Sequence, residues 1–406
     1  MADHQILSRP YTSWQWYSTN LNPGDILAAA LVAVLSIAYL GARVMLRQRI
    51  ASNKSVLQHK YVPRTNGFYN DSAPITKLDF LSVPPYKEDF RLGEEEPVRW
   101  YREDYIQDRV YVPTLAIKNL NFDDWILMDQ NYPIRMEHKS RIIQKDIGTD
   151  TADCQPEAYD GCVEMLECFA DYLPRRFPTL FKIMENGAAI CNSCTGETFQ
   201  LKAPYGGLHP LYIAGRLIED DLNILVEGPD GEYILGAVLS AFPAGFEVKN
   251  KMGRNLTEIH KPVPMYKEKM QRAMNKFFAN VQPSKMVFRL NWSINVKEEL
   301  FLTEGAHLYE GDDIDADENI DINQVQLRVE RQVLRRLPRT KAICFLTKTY
   351  LYPLAEIAKE PGFAARLGGL LHKLPEKVAF YKRKPVWGKV ILEFLDKMAE
   401  EYPELV

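Results

Sequence analysis

The stretch that most constrains this chain is Leu327–Pro338, LRVERQVLRRLP, followed at once by the apolar run AICFLTKTYL over Ala342–Leu351. Val325, Leu327 and Val329 alternate with Gln326, Arg328 and Glu330, the period-2 pattern of a half-buried strand. That pattern puts Arg328 and Glu330 on one face. Wound as a helix, the same letters would place Glu330 inside an apolar stripe, so either reading brings a carboxylate and guanidinium groups beside a buried surface. A charge there needs a partner or a ligand. Two accounts stand open: an internal Glu–Arg ion-pair network that holds a turn together, or one wall of a pocket.

Neighbouring segments extend the sheet reading. Asp221–Val226 and Glu232–Phe242 flank EGPDG, whose Pro229, Asp230 and Gly231 are turn chemistry, so they predict a hairpin. Phe288–Ile294, FRLNWSI, alternates Phe288, Leu290, Trp292 and Ile294 with Arg289, Asn291 and Ser293. The opening stretch and the Ala342 run add two more strands, joined by a tight turn around Arg339. Tyr159–Leu173 carries Cys162, Met165, Leu166, Phe169 and Tyr172 at helical spacing and is expected to end before Pro174. Core packing accounts for Cys162 and Cys168. Lys267–Phe278 and Val386–Met398 read as further amphipathic helices, and Phe122–Ile134 as a capped helical turn followed by a loop. Adjacent antiparallel strands with helices on both sides predict an α+β class rather than a doubly wound fold.

The N-terminal part differs. Ile26–Ala42 is uncharged and rich in Ala, Leu, Val and Ile; as a helix it rises roughly 26 Å, nearly a hydrocarbon core. Arg43 can snorkel, extending the span to Leu46. Arg43, Arg47, Arg49, Lys54 and Lys60 follow it, against Arg9 before it, which predicts a single-pass protein with its bulk cytosolic. The expected organisation is a tail over 1–25, a transmembrane helix over 26–46, a linker over 47–95, a domain over 96–385 and a closing helix over 386–406. A formal net charge of −4 supplies no global basic field and argues against nucleic acid as a partner. Six irregularly spaced cysteines do not form a disulfide framework.

Chemistry-bearing motifs are few. Cys191 and Cys194 form a single CNSC, weak for zinc without a second pair. The acidic run Glu310–Asp321 has Glu318 where a calcium loop needs glycine and Gln324 where it needs glutamate, so it reads as a solvated loop. No phosphate-binding glycine loop or nucleophile elbow occurs. His260 stands out: in EIHKPVP it directly precedes a segment fixed by Pro262 and Pro264. A rigidly held neutral imidazole suits an axial metal ligand, a hydrogen-bonded structural residue being the alternative. His209, in YGGLHPL, is its competitor.

In order and spacing, EIHKPVP, RLNWSI and LRVERQVLRRLP with AICFLTKTYLYPL resemble the haem-dependent oxidative N-demethylase-like family, whose fungal members are also called HRQ family proteins. The similarity runs from about Phe122 to Leu354, with LPRRFP and LIEDDLNIL in support. The resemblance implies a PAS-like antiparallel sheet with flanking helices; the expected N-terminal transmembrane helix precedes it and lies outside the resemblance. It implies a haem-dependent monooxygenase that holds haem b non-covalently and carries out oxidative N-demethylation, or a related C–H oxidation, of an amine or specialised metabolite. Carried onto this chain, it makes His260 the axial ligand with His209 in reserve. Arg289, Asn291, Arg328, Gln332, Arg335 and Arg336 become cofactor-binding positions and Glu330 a catalytic one. No flavin or iron–sulfur motif is visible, so electrons are expected from a separate reductase. A non-catalytic haem-binding sensor and a membrane-tethered interaction protein are the alternatives.

Overall fold

The computed structural model describes residues 80 and 82–404. In chain order the strands and helices are β1 (Lys118–Leu120), α1 (Tyr132–Ile142), β2 (Ala152–Cys154), α2 (Tyr159–Arg176), β3 (Phe181–Met184), β4 (Ala189–Asn192), β5 (Glu197–Gln200), α3 (Pro210–Leu217), β6 (Asp221–Glu227), β7 (Tyr233–Leu239), α4 (Leu256–His260), α5 (Gln271–Asn280), β8 (Met286–Asn295), β9 (Gln326–Arg336), β10 (Ile343–Pro353), α6 (Leu354–Ile357), α7 (Phe363–His372), α8 (Glu376–Tyr381) and α9 (Lys384–Glu401). A seven-stranded antiparallel sheet runs in the order β1-β8-β9-β10-β6-β7-β2, and a second sheet in the order β3-β4-β5.

The expected hairpin is β6–β7, with Gly231 in the left-handed region at φ +82° where a side chain would be strained. The expected trio is β8–β9–β10. Its centre sets Asn291 opposite Glu330 and Glu330 opposite Thr349. The β9–β10 turn is held by the buried Glu164 carboxylate of α2, which accepts from the Arg339 and Thr340 amides, each at 2.8 Å. Contrary to the expected stop at Pro174, α2 runs on to Arg176; proline costs one amide donor in the last turn, and the Phe177 amide still closes on the Leu173 carbonyl at 2.8 Å.

The two faces of the large sheet differ in chemistry. On one, Leu222, Ile224, Val333, Cys344 and Leu346 meet Cys162, Met165, Phe169 and Leu173 of α2, and Leu290, Trp292, Leu327 and Val329 meet α7 and α9. On the other, Leu225, Leu235, Val287, Leu334 and Ile343 lie under Met274 and Phe278 of α5. That second apolar patch stops short of Arg289, Asn291, Glu330 and Gln332, so the middle of β8 and β9 presents polar groups beneath the covering layer.

The expectation of a PAS-like sheet behind a membrane-spanning helix is corrected to an α+β domain built on this seven-stranded sheet. Among the described residues no helix is long and apolar enough to cross a membrane. The longest, α2 and α9, carry Glu164, Glu167, Asp171, Lys389, Glu393 and Asp396 through their length. The segment that carried the expectation, Ile26–Leu46, lies outside the described residues. The expected membrane partner, single-pass topology and cytosolic placement are corrected with it, since they require a spanning helix and the described residues contain none.

Candidate functional site

His260 is delivered by a short, strongly specified helix. Asn255 caps α4 by accepting the Glu258 amide at 2.8 Å, while the Glu258 carboxylate returns to the Asn255 amide at 3.1 Å, a reciprocal box that fixes where the helix starts. One turn later the His260 Nδ1 lies 2.8 Å from the Leu256 carbonyl. A carbonyl only accepts, so Nδ1 carries the proton and Nε2 keeps its lone pair. The ring stacks on Tyr266 with centroids 4.9 Å apart and planes 14° apart. Burial, reinforced by the Lys251 and Arg289 charges, depresses its pKa to about 4. The side chain nevertheless keeps accessible surface. The ring is neutral, with Nε2 unengaged by protein among the described residues.

Glu330, on the polar face of β9, shares with His260 the charges of Lys251 and Arg289, which act on both. Its carboxylate accepts from Arg328 Nε at 3.4 Å, Asn291 Nδ2 at 3.3 Å and Gln332 Nε2 at 3.1 Å. Burial pushes its pKa up, but Arg328, Asn291 and His307 outweigh this and the net direction is down. The group stays ionised. Gln332 also accepts from Arg289 Nη1 at 3.4 Å, so four of the sequence-derived residues form one hydrogen-bonded patch around Glu330. Their shared even–odd parity on paired strands is what assembles it.

Three residues around Glu330 escaped the sequence reading. His307 lies in an irregular segment, stacks face to face on Tyr381 at 4.2 Å and 8°, and is held to a pKa of about 4 by burial and the Lys382 charge. Lys251 lies over the Phe246 ring at 3.7 Å, its pKa lowered to about 8 by burial. Lys382 donates to the Trp292 carbonyl at 2.6 Å and is likewise lowered to about 8 by burial. Glu330 interacts electrostatically with all three. Among the described residues, Arg289, Arg328, Lys251 and Lys382 thus face one carboxylate. Arg289 Nε and His307 Nδ1 are buried with no hydrogen-bond partner. An excess of desolvated cations and orphaned polar nitrogens is costly unless an anion completes it. His307 also lines a cleft of about 510 Å³ whose rim includes Arg383, Tyr309, Glu304 and Asp312.

Other expected residues lie elsewhere. Arg335 has the opposite parity and is buried on the other face, its guanidinium 4.2 Å from the Trp125 ring centroid and 4.8 Å from that of Phe122. Arg336 donates to the Phe278 carbonyl and lies over Tyr233, which ties α5 to the sheet. His209 is the N-cap of α3, where Nδ1 accepts the Leu211 amide at 3.1 Å. Cys191 and Cys194 are free thiols of the small sheet and the turn that follows β4.

The polar face of β8 and β9 in this α+β protein thus gathers Arg289, Arg328, Lys251 and Lys382 around the Glu330 carboxylate, with the neutral His260 ring under the charges of Arg289 and Lys251. A family model described as haem-dependent oxidative N-demethylase, alpha subunit-like, matches residues 116–392, and the chain belongs to that family.

Proposed function

We propose that this protein is a haem-dependent oxidoreductase that removes an N-methyl group from a small amine or related metabolite. In this reading His260 Nε2 ligates the iron of a non-covalently held haem b. The observation that carries the reading is the state of His260: proton on Nδ1, ring kept neutral by burial, and Nε2 left open beside unbalanced cations. Haem fits that donor set, because it needs one neutral imidazole and brings two carboxylates for guanidinium and ammonium partners. Arg289, with Lys251 and Lys382, would hold those carboxylates.

When bound, the haem supplies the activation of dioxygen. The protein's own groups bind and orient. Glu330, ionised and fixed by Arg328, Asn291 and Gln332, would accept a hydrogen bond from the substrate amine N–H and so orient it. His307, neutral at physiological pH, offers Nδ1 as a further acceptor or donor. The overall change consumes dioxygen, two electrons and two protons and yields the demethylated amine, formaldehyde and water; the electrons are assigned to a separate reductase. The test is formaldehyde release by the haem-loaded chain supplied with a reductant, dioxygen and a panel of N-methylated amines. Release that falls at least about tenfold in Glu330→Gln is expected, a loss of roughly 1.4 kcal/mol of transition-state stabilisation. Tight haem binding with no formaldehyde from any amine would instead support a sensor.

A further inference from the structure

A second cluster of reactive side chains lies at the far edge of the large sheet. Cys154 ends β2, the edge strand, and is half-buried; Cys162, on α2, is fully buried beneath it. Their sulfurs are 3.8 Å apart, and His209 stands on the other side of Cys154. His209 Nδ1 accepts the Leu211 amide at 3.1 Å, which leaves Nε2 as the ring nitrogen available to Cys154. The edge of the Tyr159 ring, 5.2 Å away at 82°, fixes the imidazole plane.

We propose that Cys154 and Cys162 form a thiol–disulfide exchange site whose substrates are low-molecular-weight disulfides such as oxidised glutathione. Cys154 attacks and Cys162 resolves. The division of labour follows from placement: Cys154 is half-buried on the edge strand, while Cys162 is fully buried. The Cys154 thiolate attacks one sulfur of the small disulfide, forming a mixed disulfide and expelling one thiolate. Cys162 then attacks Cys154 Sγ as its proton passes to the departing sulfur, forming the Cys154–Cys162 bond, breaking the mixed disulfide and releasing the second small thiol. Two protein thiols are oxidised and one small disulfide is reduced to two thiols.

Local electrostatics favour that order. Contact with Cys162 and the neighbouring His209 ring lower the Cys154 pKa against the opposing effects of burial and Asp153, while Cys162 is raised by its contact with Cys154 and by burial. A side-chain rotation brings the two sulfurs from 3.8 Å to a bonding distance of roughly 2.05 Å. Cys344 is fully buried beside Cys162, whereas Cys191 and Cys194 are half-exposed in the small sheet and its turn and serve as internal controls.

The test is exposure of the full reduced chain to oxidised glutathione, alkylation of remaining thiols and peptide mass mapping. A Cys154–Cys162 cross-linked peptide is expected in the native sequence, and a glutathione adduct on Cys154 that persists in Cys162→Ser. Cys154→Ser is expected to give neither, with Cys162 still alkylatable after unfolding. His209→Phe is expected to move the pH midpoint of Cys154 alkylation upward by about one unit or more. Adducts that form first on Cys191 or Cys194 with Cys154 left free, or a Cys162→Ser chain that folds and acquires no adduct at Cys154, would overturn the proposal.

Discussion

The neutrality of His260 and His307 gives the haem-free protein a specific acid lability. Each ring has its pKa depressed from 6.5 to about 4, chiefly by burial. The unfolded chain therefore binds each proton at higher pH than the folded chain does. The stability held by the neutral rings is complete above about pH 6.5 and is lost as pH falls toward 4. Integrated between pH 8 and pH 5, a shift of this size is worth about 2 kcal/mol for each histidine, about 4 kcal/mol for both. The perturbation is His260→Phe, which keeps an aromatic ring against Tyr266 and removes the titrating group. Urea unfolding of wild type and variant at pH 8 and pH 5 measures it. The variant should lose about 2 kcal/mol less than wild type over that interval, whatever its absolute stability, because the other titrating groups cancel in the difference. An identical loss in both chains would show that His260 is not held neutral by the fold, and the argument for an open Nε2 would fail with it.

The same double difference for His307→Phe should also be about 2 kcal/mol. Arg289→Met should weaken haem affinity by about 10- to 100-fold in a spectral titration, the size of a charge-assisted hydrogen bond. Arg335→Met should leave haem affinity unchanged and stability equal or higher by urea midpoint, since all three guanidinium nitrogens are buried without hydrogen-bond partners and a buried, unpaired charge is replaced by an apolar stem. Lys348 bridges the buried Asp129 at 2.8 Å and Glu219 at 2.6 Å; Lys348→Met should cost about 3–5 kcal/mol at neutral pH. Part of that cost should return at pH 5.5, because Glu219, already raised to about 7 by burial, is protonated there.

Much of the sheet was legible because it is written in local alternation. β8, β9, β10 and the β6–β7 hairpin stand where period-2 patterns and turn residues put them, and the parity that groups Arg289 and Asn291 with Glu330 and Gln332 is visible in the letters. The same parity already separated Arg335 from Glu330, a signal obscured by the density of arginines around it. The small β3–β5 sheet was not read, since its strands are four residues each and too short for a pattern. His307, Lys251 and Lys382 were missed for a different reason. Nothing in their flanking sequence distinguishes them, and their chemistry arises from desolvation by segments remote in the chain. His260 was found through its prolines, but its tautomer follows from the bond to the Leu256 carbonyl, which only the folded helix supplies. His209 illustrates the converse, a conspicuous histidine whose local bond gives it a capping role beside Cys154.

The central claim, that His260 Nε2 is the iron ligand of a haem site, is tested most directly by titrating the chain with haem and recording the visible spectrum of wild type and His260→Ala. The account predicts a shifted, saturable Soret band for the wild type, an altered or absent band for the variant, and recovery of the wild-type spectrum when imidazole is added to the variant. A band that is the same in both chains would contradict the ligand assignment, and no saturable band in either would contradict the haem site itself.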